Sequence, residues 1–229
     1  MEMKSISLWD LPTRLFHWLL VLAVTGTLVA VKLGGTWMVW HERLGLAIVG
    51  LLSFRLAWGI VGSTYARFVQ FIPGPAAITA YLKGEWQGLG HNPLGALSVL
   101  AMLGLLGFQA VTGLFATDAI AFNGPLYRAV SSAWNDTITS WHKKTEWYIY
   151  GLIGLHVASV FFYTLIKKDN LVTPMISGRK KVTETQGRDR AGGGLLALIV
   201  ALAVAGFAVW VANGGLLAPP PPPPPDLGW

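Results

Sequence analysis

Cysteine is absent from the chain. That excludes disulfides, thiolate-ligated iron–sulfur clusters and a haem attached covalently through C-x-x-C-H, so any haem here is held without a thioether link. Charge is scarce as well. Only 12% of the 229 residues are charged, against 53% that are hydrophobic, where a soluble domain carries about 25% charged residues. With a mean hydropathy of +0.53, the composition is that of an integral membrane protein. No G-x-x-x-x-G-K-[ST] occurs and no G-x-G-x-x-G follows a strand pattern, so nucleotide-driven transport has no support. His41-Glu42 begins like a zincin motif, but position 45 is glycine and the second metal-binding histidine is missing. The first apolar run has no small-residue cleavage site after it, so it is read as a retained span.

Apolar runs of membrane-spanning length, about 20 residues, fall at 15–31, 40–61, 93–116, 141–166 and 194–211. Pro12 suits the entry of the first and Arg14 suits a headgroup. The mixed segment 62–92 carries Pro73, Gly74 and Pro75 at its middle and reads as a loop with one short interfacial helix at 75–83. Span three is rich in glycine (Gly95, Gly104, Gly107, Gly113), which lets helices approach closely in lipid. A wet loop at 117–140 leads to span four. The fifth span has no ionisable residue and no histidine, so it reads as a peripheral helix for packing or partner docking. Seven prolines and Asp226-Leu227-Gly228-Trp229 follow Ala218, the pattern of a stiff polyproline spacer.

The net charge of +6 does not imply nucleic acid, because its excess sits beside span ends. Lys167, Lys168, Arg179, Lys180, Lys181, Arg188 and Arg190 crowd one linker. By the positive-inside rule that linker, the N-terminus and the 62–92 loop are cytoplasmic, and the C-terminus is periplasmic. Lys143 and Lys144 run against this trend at the outer face.

Span four carries two histidines, His142 and His156, fourteen residues apart. At about 100° and 1.5 Å per residue they share one face to within roughly 40° and lie about 21 Å apart along the axis. An ionisable side chain inside a membrane is a functional hypothesis by default. The topology brings His17 of span one to the depth of His156, and His41 of span two to the depth of His142. Two bis-histidine sites stacked across the bilayer result, each suited to a six-coordinate haem. Arg14, Arg43 and Arg55 are candidate propionate partners, since arginine matches carboxylates bidentately. His91, in Gly90-His91-Asn92-Pro93, stands outside both pairs. With Asn92 it is a candidate quinone headgroup site, although Asn92 equally suits a helix start.

The segments TRLFHW, WHERLG, GHNPLG and WHKKTEWYIYGLIGLH resemble the bacterial di-haem cytochrome b561 family and its relatives, the cytochrome b subunits of nickel–iron hydrogenases, over about residues 9–170. The resemblance implies a four-helix core binding two b-type haems, with His17, His41, His142 and His156 in the ligand positions. It also implies electron exchange between the quinone pool and a periplasmic partner, either a c-type cytochrome or a dehydrogenase- or hydrogenase-like subunit. In the related formate dehydrogenase membrane subunits an Asn at the start of the third span takes part in quinone binding, which directs attention to Asn92.

The expected architecture is an all-α integral membrane bundle of the bacterial inner membrane. It comprises a four-helix di-haem domain over 1–170, a basic cytoplasmic linker over 171–193, a fifth peripheral helix over 194–213 and a periplasmic polyproline tail over 214–229. The expected function is transmembrane electron transfer between quinone and the periplasmic partner. One alternative is a self-sufficient superoxide:quinone oxidoreductase, with Lys143 and Lys144 steering the anion. Another is a haem-free membrane scaffold or proton-linked transporter.

Overall fold

The computed structural model describes residues 3–183 and 189–218, so the polyproline run read as a spacer lies outside the described residues. In chain order the elements are a strand β1 (Met3–Ser7), helices α1 (Leu11–Leu33) and α2 (Met38–Val61), two short helices α3 (Phe68–Phe71) and α4 (Pro75–Leu82), then α5 (Pro93–Phe115) and α6 (Ser132–Phe161). A short helix α7 (Val172–Ser177), strand β2 (Arg179–Thr183) and helix α8 (Leu195–Ala212) complete it. Among the described residues five helices, namely α1, α2, α5, α6 and α8, are long and apolar enough to cross a membrane.

Sequence dictates where the spans begin. Asp10 caps α1, its Oδ1 accepting from the Thr13 amide at 2.7 Å with Pro12 in the first turn. Asn92 caps α5 in the same way through the Gly95 amide at 2.7 Å, with Pro93 at the first position. Each cap satisfies one of the amides that a helix start leaves unpaired, and proline has no amide to satisfy there.

The spans pack as two hairpins, α1 on α2 and α5 on α6, and α8 lies along α2. Ala23 and Val24 of α1, Ile48 and Leu52 of α2, Leu106 of α5 and Ile149 of α6 form the mid-membrane core. The α6 backbone stays away from those of α1 and α2, which leaves a cleft between the hairpins. On the other side of α2, the fully buried Ala201 of α8 packs with Phe54 and Trp58, while Leu196 and Phe207 of α8 remain exposed.

Two segments read as loops are ordered. Helix α6 begins at Ser132, within the stretch 117–140 expected to be wet loop. Its first turns are held by polar contacts: Asn135 Nδ2 donates to the Tyr127 carbonyl at 3.2 Å, and Thr139 Oγ1 accepts from the Thr117 amide at 3.0 Å. The linker after span four is also structured. Strand β2 pairs antiparallel with β1, Ser7 facing Arg179 and Met3 facing Thr183. Ile6, Leu8, Trp9 and Val182 form a small separate core there, packed against Tyr65, Leu89 and Met175. Gly178 closes α7 in the left-handed conformation (φ 80°), and a Cβ at this position would meet the Trp9 carbonyl oxygen at 2.7 Å. The end of the bundle that holds β1 is the near end. It is capped by this ribbon and by the 62–92 segment.

Candidate functional site

The cleft between the hairpins is crossed by four imidazoles. His17 of α1 and His156 of α6 face each other toward the near end, with ring centroids 6.5 Å apart and planes inclined at 49°. His41 of α2 and His142 of α6 face each other toward the far end at 6.1 Å and 88°. Ile149, midway between His142 and His156 on the same helix face, is only 4% exposed and fills the layer between the pairs. Heptad spacing returns a helix to nearly the same direction, so α6 presents ligand, spacer and ligand in one stripe.

The residues fit a porphyrin iron at each pair. A metal–imidazole bond of about 2.0 Å on each side puts two coordinating nitrogens about 4 Å apart and the ring centres about 6 Å apart. Both observed separations lie at that value. The second nitrogens fit as well. His41 Nδ1 lies 3.1 Å from the Thr27 carbonyl oxygen, and His142 Nδ1 lies 3.0 Å from that of Gln109. A carbonyl only accepts, so each Nδ1 carries the proton and each Nε2 holds a lone pair. His17 Nδ1 is buried without a partner.

A cavity of about 220 Å³ adjoins the far pair. Val24, Leu28, Gly45 and Ile149 give it apolar walls, and Glu42, Asp118, Lys143 and Glu146 give it a polar rim. Gly45 stands one turn beyond His41, and a Cβ there would meet nothing within 4 Å, so the wall is open where a macrocycle needs room. Gly113 is different: a Cβ would lie 2.9 Å from His142 Cε1. Lys32 closes the far rim, its Nζ 2.7 Å from Glu146 Oε1, and the Tyr150 hydroxyl donates to the same oxygen at 2.7 Å. Asp118 is held below its ordinary carboxylate range by the Phe122, Ile120 and Ala121 amides.

At the near end α6 runs on into a π-helical turn, Phe162–Ile166, whose Tyr163 hydroxyl hydrogen-bonds that of Tyr81 on α4. Burial, then that contact, pushes Tyr81 up to about 12. A polar nest lies beside it under the cap. Asp10, 2% exposed, accepts from Trp58 Nε1 at 3.0 Å and from the Ser63 hydroxyl as well as from Thr13. Arg55, also 2% exposed, lies over the rings of Phe68 and Phe71 at 4.8 and 5.8 Å.

The other residues singled out from sequence take these places. His91 is enclosed by Trp9 and Phe71, ring centroids 4.7 and 4.6 Å away, with Nδ1 buried and unpartnered. Burial, and then the nearby Arg55 charge, lower its pKa to about 3. The Asn92 side chain is taken up by its cap. Arg14 donates from Nη1 to the Ile176 carbonyl of α7. Arg43 stacks over Trp40 at 5.3 Å and is not among the residues lining the far cavity. Sequence reasoning missed Thr27, Gln109, Ile149 and Tyr163. The last two had a signal, the interval of seven on either side of His156. Thr27 acts through its main-chain carbonyl, which side-chain identity does not report, whereas Gln109 also uses its side-chain amide, whose Nε2 lies 3.4 Å from His142 Nε2 and donates to the His142 carbonyl at 3.0 Å.

The model of the family described as prokaryotic cytochrome b561 matches residues 8–178. The probable Ni/Fe-hydrogenase 1 B-type cytochrome subunits of Escherichia coli K12 and of Escherichia coli O157:H7 are each 22% identical to the chain over 213 residues, covering 74% of it and 88% of their own length. No solved structure matches. The matched stretch runs from the cap of α1 through α7 and contains both histidine pairs, while α8 lies beyond it: the chain belongs to the prokaryotic cytochrome b561 family.

Proposed function

We propose that this membrane cytochrome carries electrons across the bilayer through two b haems, one held by His17 and His156 and the other by His41 and His142. It exchanges electrons with quinone at the near end and with a redox subunit or c-type cytochrome at the far end. The observation that carries this reading is the pair of imidazole separations, 6.5 and 6.1 Å, at two depths of the same helix. When bound, each haem supplies a one-electron couple with no open coordination position. The chain supplies everything else. Thr27 and Gln109 orient their imidazoles through Nδ1, Ile149 excludes water between the two levels, and the Lys32–Glu146 pair holds α1 to α6 beside the far site.

The near end faces the cytoplasm in this reading, because Lys167, Lys168, Arg179 and Lys181 follow span four there. The similarity to Ni/Fe-hydrogenase B-type cytochrome subunits favours a hydrogenase-like redox subunit over a c-type cytochrome as the far-side partner. The superoxide reading has Lys143 at the cavity rim in its favour. Glu42, Asp118 and Glu146 share that rim, so it is not a field of one sign that would steer an anion. Purified protein is expected to show a b-type α-band on reduction with dithionite and two haems per chain. In liposomes, quinol supplied to the membrane is expected to reduce them and pass electrons to an impermeant acceptor on the far side. Absence of the α-band overturns the proposal.

A further inference from the structure

We infer that the near-end rim between α6, α7 and β2 is a seat for an anionic phospholipid. In the proposed topology span four leaves the membrane here, so this rim lies at headgroup depth. Three exposed cations stand on it: Lys167 and Lys168, just after the π-helical turn Phe162–Ile166 that continues α6, and Arg179, the first residue of β2. They are held on a folded scaffold rather than on a free tail. Lys180 pairs with Asp169 at 2.8 Å, fixing β2 to the α6 terminus, and the Asp169 amide donates to the Tyr163 carbonyl at 3.0 Å. Asp169 is therefore already neutralised by Lys180. Lys168 adopts φ 56°, a conformation uncommon for a residue with a side chain.

Between these cations in sequence, α7 exposes apolar side chains as well as Thr173 and Ser177. Val172 and Ile176 of α7 are 39% and 61% exposed, and Trp18 of α1, 40% exposed, anchors to α7 through its Nε1–H and the Met175 carbonyl at 3.2 Å. A tryptophan beside cations is the usual arrangement of a membrane interface. What distinguishes this rim is that fixed positive groups and exposed apolar side chains share one short folded stretch of the chain, which matches a phosphate headgroup together with its acyl chains. A soluble anion would use only the cationic part of such a surface, and a zwitterionic lipid would gain less from the cations. The apolar side chains and the cations together therefore select an anionic lipid.

The test uses the full chain with its haems in a neutral detergent. Phosphatidylglycerol is expected to raise the unfolding midpoint by about 5 °C, and the same mole fraction of phosphatidylcholine to raise it by much less. Native mass spectrometry is expected to show lipid retained only in the first case. A Lys167→Gln, Lys168→Asn, Arg179→Gln variant should lose the difference, asparagine being chosen because it tolerates the left-handed backbone at 168. Lys167→Arg should keep it, and an unaltered haem spectrum in each variant shows the fold intact. Equal shifts with the two lipids overturn the inference, as does a full response in the triple variant. A shift reproduced by inorganic phosphate or by polyglutamate also overturns it, because either would mean the cations serve a soluble anion or an acidic partner.

Discussion

Nδ1 of His41 lies 3.1 Å from the carbonyl oxygen of Thr27, across the α1–α2 hairpin. A side chain on one helix thereby takes its tautomer from the main chain of another, and Nε2 is committed to the cleft. On the proposed pairing, His41→Ala removes the far haem alone and His156→Ala the near haem alone. Haem content measured as pyridine haemochrome should fall from two per chain to one in each variant. Loss of both in either variant, with the fold intact by circular dichroism, contradicts the pairing.

Gly113 lies where α5 passes the far pair, and a Cβ there would sit 2.9 Å from His142 Cε1. His142 has little room to retreat, because its Nδ1 is engaged by the Gln109 carbonyl. Gly113→Val should therefore cost the far haem while leaving the near one. Optical spectra at graded potential would show one titrating component in place of two.

Asn92 has a structural duty, the α5 cap, that can be separated from any quinone role. Asn92→Leu should lower stability by about 1 kcal/mol and, if the amide meets quinone, slow haem reoxidation by quinone at an unchanged spectrum. Asn92→Ser keeps an acceptor for the cap. It should restore the melting temperature without restoring the rate. Wild-type kinetics in both variants would leave Asn92 as a cap only.

Asp10 gathers three donors from α1, α2 and the turn after α2 while buried near Arg55. Asp10→Ala strands those donors and leaves a buried guanidinium without its anion. A loss of about 3 kcal/mol or more is expected in denaturant unfolding. Arg55→Leu added to that variant should recover part of the loss. A double-mutant cycle with no coupling would show that the two charges do not sense each other.

His91 is neutral in the folded protein down to about pH 3, whereas an unfolded histidine takes up a proton near pH 6.5. Its contribution to stability is complete above about pH 6.5 and is lost as pH falls toward 3, by up to about 1.4 kcal/mol per pH unit. His91→Phe, which suits the space between Trp9 and Phe71, should remove that part of the acid sensitivity. Melting temperatures of the two proteins between pH 7 and pH 5 should diverge progressively.

The five spans and the histidine stripe were legible because lipid imposes long apolar runs and because ionisable groups are rare within them. What escaped was held by polar and distant contacts. Asn135 and Thr139 resemble loop residues, yet they are buried by satisfying main-chain groups of the 117–131 segment, which hydropathy does not register. Arg55 looks like a headgroup cation. It is instead buried over the rings of Phe68 and Phe71, within reach of the charge of Asp10, far from it in sequence. Strand β1 is five residues long and finds its partner only after four spans have passed, so no local pattern announces it.

That strand pair also sets an order of events. Ser7 precedes every span, and its partner Arg179 emerges only after α6 has been made. Until then the ribbon that packs on Tyr65, Leu89 and Met175 cannot form, so the near end stays uncapped while translation is under way. A bulky fusion ahead of Met3 would keep the ribbon from closing after synthesis is over. On the proposed pairing its mark would be faster exchange of the near haem while the far one stays put.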